Sequence, residues 1–242
     1  QTVGYYRAAQ TFAFVPYQLI ISMTFIVFPM ISKATSVGDR EATKSTIQHA
    51  MRLSLLLLLL VAAPTSGAAE GVMRLAYPAD YLVGASALEI LVFGVAAFAL
   101  FAVAATAISG AGKPSMAASI AAVALLTVIV ANRVLVMRAG LGEESLRAAA
   151  TGTSIGMAVA LVLSAWVLRR EFGVFIPLST WLRAALAAAA GYGAAHATPH
   201  GSPALAIVAL AAGFLAALGV LVLTRELDRE DWRALRRIAR RD

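Results

Sequence analysis

The chain has 242 residues, is 60% hydrophobic and only 14% charged, and carries a mean hydropathy of +0.81 with a formal net charge of +7. A soluble domain is nearer half apolar and a quarter charged, so this balance excludes an ordinary water-soluble module and indicates a polytopic membrane protein. In so apolar a chain the positive excess reads as basic loops at one membrane face, not a nucleic-acid surface, and the absence of cysteine excludes a disulfide framework or thiolate metal site.

From Thr11 to Ile31 no residue is charged. At 1.5 Å per residue that run is long enough to cross about 30 Å of hydrocarbon. Pro16 and Pro29 lie inside it, so a kinked membrane helix is expected over Val3 to Ser32. Gln18 sits near its middle and should face other helices or a wet cavity. A polar loop is expected from Lys33 to Arg52, then a span from Leu53 to Ala69 built on a run of leucines. Glu70 to Asp80 breaks the pattern. Further spans follow at Tyr81 to Ser109, Ser115 to Met137, one ending at Leu168 after the polar stretch Arg138 to Arg147, Leu178 to Ala197, and Pro203 to Leu223. No strand-like alternation appears. The expected fold class is all-α: a polytopic transmembrane bundle of about seven spans over residues 1–224, with a cytoplasmic basic tail over 225–242.

In that tail Asp228 is placed to cap a helix, with Leu227, Trp232, Leu235 and Ile238 on one side and arginines on the other. It should lie on the inner leaflet as an anchor. Arg7, Arg74, Arg133, Arg138 and Arg147 fall at one end of the bundle, and the remaining Lys and Arg at the other. The positive-inside rule then puts the first residue outside and the tail in the cytoplasm.

Several segments carry a family resemblance. VGYYRAAQ followed by a Pro-broken apolar helix ending in FPMIS (Val3 to Ser32) resembles the second-lobe entry of bacterial polysaccharide flippases. These belong to the multidrug, oligosaccharidyl-lipid and polysaccharide exporter superfamily. LAYPADYLVGASALEILVFG (Leu75 to Gly94), AISGAGKP (Ala107 to Pro114) and LTRELDREDWRALRRI (Leu223 to Ile238) are similar to later passages of that family, in the same order. One departure is GLGEESLRAAATG (Gly140 to Gly152), where the family often has a compact Gly-x-x-Gly-Ala-Ala turn, and it leaves that loop's geometry open.

The resemblance implies the C-terminal lobe of a two-lobed transporter plus two trailing helices, in the bacterial inner membrane. It implies a polyprenyl-diphosphate-linked oligosaccharide as substrate, flipped by alternating access for cell-surface polysaccharides such as O-antigen and lipopolysaccharide. Partners would be that substrate, membrane lipids and an N-terminal lobe of the same protein, with no nucleic acid. The chain begins with Gln, and it is expected to lack that first lobe. Cavity-facing candidates are Arg7, Gln18, Glu89 and Arg133, of which Arg7 stands near the outer mouth and could instead snorkel to the interface. Glu89 and Arg133 are about 34 and 32 Å along the chain from a turn at Gly112, at 1.5 Å per residue, and an ion pair or water-bridged contact between them is expected.

Other motifs carry little chemistry. SGAGKP (Ser109 to Pro114) lacks phosphate-loop spacing, and Pro114 replaces the hydroxyl residue that would meet magnesium. His196 and His200 are four apart, but Pro199 and Gly201 make a loop there, so no metal site is expected, nor any cofactor. Gly152-x-x-x-Gly156 suggests close helix packing. The alanine-rich sixth and seventh spans are either packing elements or walls of a wet groove. No nucleophile–base pair or cluster of acids stands at membrane depth, so an enzyme is not expected. Two other functions stay open: a cation-coupled multidrug exporter of the same superfamily, and a non-transporting membrane scaffold.

Overall fold

The computed structural model describes residues 2–174, 176–199 and 201–226. Among these residues the chain forms nine α-helices and no strand. They are α1 (Thr2–Ala13), α2 (Val15–Ser36), α3 (Arg40–Gly67), α4 (Ala69–Ala76), α5 (Ala85–Gly110), α6 (Pro114–Arg138), α7 (Glu143–Phe172), α8 (Leu178–His196) and α9 (Pro203–Leu223). A 3₁₀ turn, Ala79–Gly84, leads into α5. By length and composition, α3, α6, α7, α9 and the continuous stretch Ala79–Gly110 are long and apolar enough to cross a membrane. The pair α1–α2 and helix α8 occupy the two other expected spans. The tail from Leu227 onward, with its capped amphipathic helix, lies outside the described residues, as does His200.

The first expected span proves to be two helices meeting at Phe14. Pro16 sits in the first turn of α2 and has no N–H for the Phe12 carbonyl. The flanking bonds persist, from the Phe14 N–H to the Gln10 carbonyl and from the Gln18 N–H to the Phe14 carbonyl, both at 3.1 Å. The break is therefore local, and the two helices keep nearly one register.

The expected polar loop from Lys33 to Arg52 is corrected to a short turn. α2 runs to Ser36 and α3 begins at Arg40. Asp39 caps α3 by accepting from the Ala42 N–H at 2.9 Å, and Glu41 adds a carboxylate to the first turn. Those polar residues extend the helix beyond the hydrocarbon without ending it. The stretch Arg138 to Arg147 shortens in the same way, since α6 ends at Arg138 and α7 starts at Glu143.

Two helices organise the rest. α5 is buried along most of its length and packs against α1, α2, α3 and α7. α3 also carries α8 and α9. α6 is peripheral: only Ala117 and Ile120 are buried, and it leans mainly on α7. There the expected GxxxG packing is found. A Cβ on Gly152 would stand 2.9 Å from the Asn132 nitrogen, and one on Gly156 would stand 2.9 Å from the Val128 nitrogen. Backbone approaches that close are the usual use of small residues between membrane helices. A second seam joins α8 and α9 to α3: a Cβ on Gly213 would lie 2.6 Å from the Gly191 carbonyl and 2.9 Å from the Pro64 Cβ. The alanine-rich spans are thus packed against the bundle through their small faces.

Polar clamps close the basic end. Lys113, after α5, pairs with Glu171 at the end of α7. α9 ends with Arg225 at φ +52°, and the Glu226 N–H returns to the Leu221 carbonyl at 3.0 Å. That turn buries Glu226 at 3% exposure between α3 and α8. Its carboxylate accepts from the Thr180 hydroxyl at 2.7 Å, from Arg183 at 2.8 Å and from Arg52 Nε at 3.2 Å.

Candidate functional site

The sequence candidates divide between two surfaces. Arg7 and Gln18 lie on one stripe of the bent pair α1–α2. At 100° per residue, Arg7, Thr11, Gln18, Phe25, Pro29 and Ser32 fall within about 60° of one another, and all six are exposed. The opposite face, including Ala9, Ala13, Ile20, Val27 and Ile31, is buried against the bundle. The local sequence dictates this division, because the small and branched apolar residues recur at helical spacing and the polar ones fall between them. The stripe runs past the break at Phe14 because the register is kept there.

The α1–α2 face is mixed, since Leu19, Phe25, Phe28 and Met30 are exposed there beside the polar groups, whereas the middle of α6 exposes mainly aliphatic side chains. On α6, Leu125, Leu126, Ile129 and Val130 are each more than half exposed, a surface matched to lipid tails. On α1–α2 a guanidinium, a carboxamide and hydroxyls share the exposed stripe. A strongly polar group at the centre of a lipid-facing span is expensive, and Gln18 holds that position, with Arg7 nearer the mouth.

Glu89 lies elsewhere, in a cleft of about 510 Å³ formed by α3, α5, α7 and α8. Its Oε1 accepts from the Tyr192 hydroxyl at 2.7 Å, and the Ser66 hydroxyl donates to its backbone carbonyl at 2.9 Å. Arg147 and Ser154 face it from α7. Tyr192 also stacks on His196 at 5.4 Å, which occupies that histidine's ring in an aromatic contact.

The expected contact between Glu89 and Arg133 is not formed. α6 leans on α7 instead of running back along α5, so Arg133 stays exposed on the outer helix. The carboxylate points into the cleft toward α8, and the guanidinium on that wall belongs to Arg147. Equal depth along a hairpin was insufficient to pair the two groups, because depth says nothing about which face each presents. Sequence reasoning also left out Tyr192, Ser66 and Ser154. The one available hint was Tyr192 itself, a lone aromatic in the alanine and glycine run from Ala187 to Ala195.

Among the described residues no group of three or more His, Asp or Glu is arranged to hold a metal ion. No family model matches the sequence, and no curated protein does either. Among solved structures, the chain is similar to "Lipid II flippase MurJ, inward closed conformation", with a TM-score of 0.75 at 14% identity. The likeness covers 93% of this chain and 48% of that one, so the chain spans about half the length of that protein. At this identity the likeness is one of fold, and the chain is an all-helical, multi-pass membrane bundle with a MurJ-like fold.

Proposed function

We propose that the chain is one lobe of a bacterial inner-membrane flippase that moves a polyprenyl-diphosphate-linked oligosaccharide for cell-surface polysaccharide synthesis. The observation that carries this is the polar stripe of α1–α2. An exposed face bearing Arg7, Thr11 and Gln18 over about 16 Å of helix, at 1.5 Å per residue, favours water or a polar partner opposite it. In transporters built from two repeats, the substrate site lies between the lobes, and rocking of one against the other exposes it alternately to each side.

The stripe fits half of such a site. Arg7 supplies positive charge for a diphosphate, Gln18 and Thr11 offer hydrogen bonds to sugar hydroxyls, and the polyprenyl chain stays in lipid. The similarity to a lipid II flippase supports the substrate class of a lipid-linked head group. The basic tail would rest on the cytoplasmic leaflet.

A single lobe cannot enclose a cavity, which sets the test. In a strain lacking its polysaccharide flippase, the 242 residues alone should leave export absent. The same residues preceded by a second lobe should restore it, and Arg7→Glu in that longer chain should cut export by about tenfold or more at unchanged membrane level. Restoration by the 242 residues alone would defeat the two-lobe mechanism. Failure of the longer chain, despite correct insertion, would favour a scaffold.

A further inference from the structure

The cleft around Glu89 is followed, about one helical turn further along α5 and α7, by a second recess. α7 rests on α5 and α8 rests on α3, and the floor between them is α5. This second recess, of about 420 Å³, lies toward the basic end. α5 passes from Phe93 and Ala97 in the first recess to Leu100 in the second, and α7 from Ala158 to Leu161. From Glu89 to Leu100 along α5 is about 16 Å at 1.5 Å per residue, close to half of a hydrocarbon core of roughly 30 Å. The distance from Glu89 to the start of the second recess is therefore about one leaflet, with the charges at the mouth and apolar walls below.

The charges at the mouth are unusual in that both signs are present and unpaired with each other. Glu89 gives one oxygen to Tyr192. Arg147 lines the same cleft from α7, and among the described residues neither group forms an ion pair. A ligand that satisfies both must carry a cation and an anion a short distance apart. The walls below Glu89 and Arg147 (Ile90, Phe93, Ala97, Ala158) require an apolar portion as well. We propose that this cleft binds an ethanolamine-headed phospholipid, with the ammonium on Glu89, the phosphate on Arg147 and one acyl chain along α5 and α7.

The head-group chemistry discriminates among lipids. An ammonium donates up to three hydrogen bonds, so it can add a charge-assisted bond to the free carboxylate oxygen. A choline head matches the charge but donates nothing. A phosphatidylglycerol head satisfies Arg147 through its phosphate but brings only neutral hydroxyls, and no positive charge, to Glu89. This site is separate from the α1–α2 stripe, and its occupancy does not depend on which substrate the protein moves.

The test is lipid retention by the purified protein in mixed micelles holding equal amounts of phosphatidylethanolamine, phosphatidylcholine and phosphatidylglycerol, read by mass spectrometry. Phosphatidylethanolamine should be enriched about tenfold over each competitor, the size expected for one charge-assisted hydrogen bond. Glu89→Gln should bring ethanolamine and choline lipids level, and Arg147→Gln should reduce retention of both. Soluble glycerophosphoethanolamine should not displace the lipid, since it has no chain for the apolar wall. Equal or better retention of phosphatidylglycerol, displacement by the soluble head group, or an unchanged preference in Glu89→Gln would each overturn the assignment. Should Glu89→Gln fail to fold, Arg147→Gln at its exposed position decides alone, and undiminished ethanolamine-lipid retention there counts against the site.

Discussion

Glu226→Ala is expected to lower the stability of the bundle by about 2–3 kcal/mol, or about 4–12 °C in Tm for a chain of this size. The reason is convergence. One buried carboxylate ties the end of α9 to Arg52 on α3 and to Thr180 and Arg183 on α8. Its removal leaves two guanidiniums facing each other across an emptied contact. Removing one partner of a fully buried pair costs about 3–5 kcal/mol, and the expectation here is lower because solvent reaches both arginines. Their side chains are 21% and 44% exposed, against 4% for Glu226. Glu226→Gln, which keeps the shape and an acceptor for Thr180, should lose less.

The same clamp has a pH signature. Burial alone would raise the Glu226 pKa, but hydrogen bonds from Arg183, Thr180 and Arg52 outweigh it and hold the group below the ordinary 4.5 of a glutamate. A carboxylate whose folded pKa is depressed stabilises fully above its unfolded value, and that contribution disappears as pH falls through the folded value. The stability difference between the native chain and Glu226→Gln should therefore be constant at neutral pH and shrink once the pH drops below about 4.5. A difference that grows on acidification would remove Glu226 from the role assigned to it.

The second large effect is at the α6–α7 seam. Gly156→Ala places a Cβ 2.9 Å from the Val128 nitrogen and 3.0 Å from the Ala124 carbonyl oxygen. Both are backbone atoms, so no rotamer change relieves the contact and the helices must separate. Overpacking of this kind costs about 1–3 kcal/mol. α6 has few other anchors, because only Ala117 and Ile120 are buried on it. Gly219→Ala in α9 is the matched control: nothing lies within 4 Å of its Cβ, and the exchange should be neutral or raise stability by up to about 1 kcal/mol. Thermal unfolding in detergent should separate the two variants by sign. Equal behaviour would mean that the close approach of α6 to α7 is not a determinant of stability.

The architecture was legible in the sequence because a bilayer permits few alternatives. Apolar runs of sufficient length, prolines near their ends and glycines at four-residue spacing marked the helices and the GxxxG seam. Helix ends were less legible. Arg40 to Arg52 and Arg138 to Arg147 look like loops by charge, yet they lie wholly or partly in helices whose ends extend past the apolar core, as the cap by Asp39 shows. Least legible were side-chain partners across the fold. Nothing in the local sequence marks Glu226, and its three partners are 43 to 174 residues away in the chain. The partner of Glu89 was misassigned for the same reason: periodicity gives depth and face within one helix, whereas Tyr192 is brought to it by the packing of α8 on α3.

The polar stripe of α1–α2 is the feature on which the transport role depends, and the chain suits a direct measurement because it has no native cysteine. Gln18→Cys and Leu126→Cys both place a thiol at an exposed position within an apolar span, one on the stripe and the other on α6. Each is treated with a charged, membrane-impermeant thiol reagent in whole cells and in inverted membrane vesicles, with a second lobe present. A water-filled cavity wall at α1–α2 predicts modification of Gln18→Cys from at least one side and of Leu126→Cys from neither. If Gln18→Cys is as inert as Leu126→Cys from both sides, the stripe faces lipid or protein and the chain does not line a path for a polar head group.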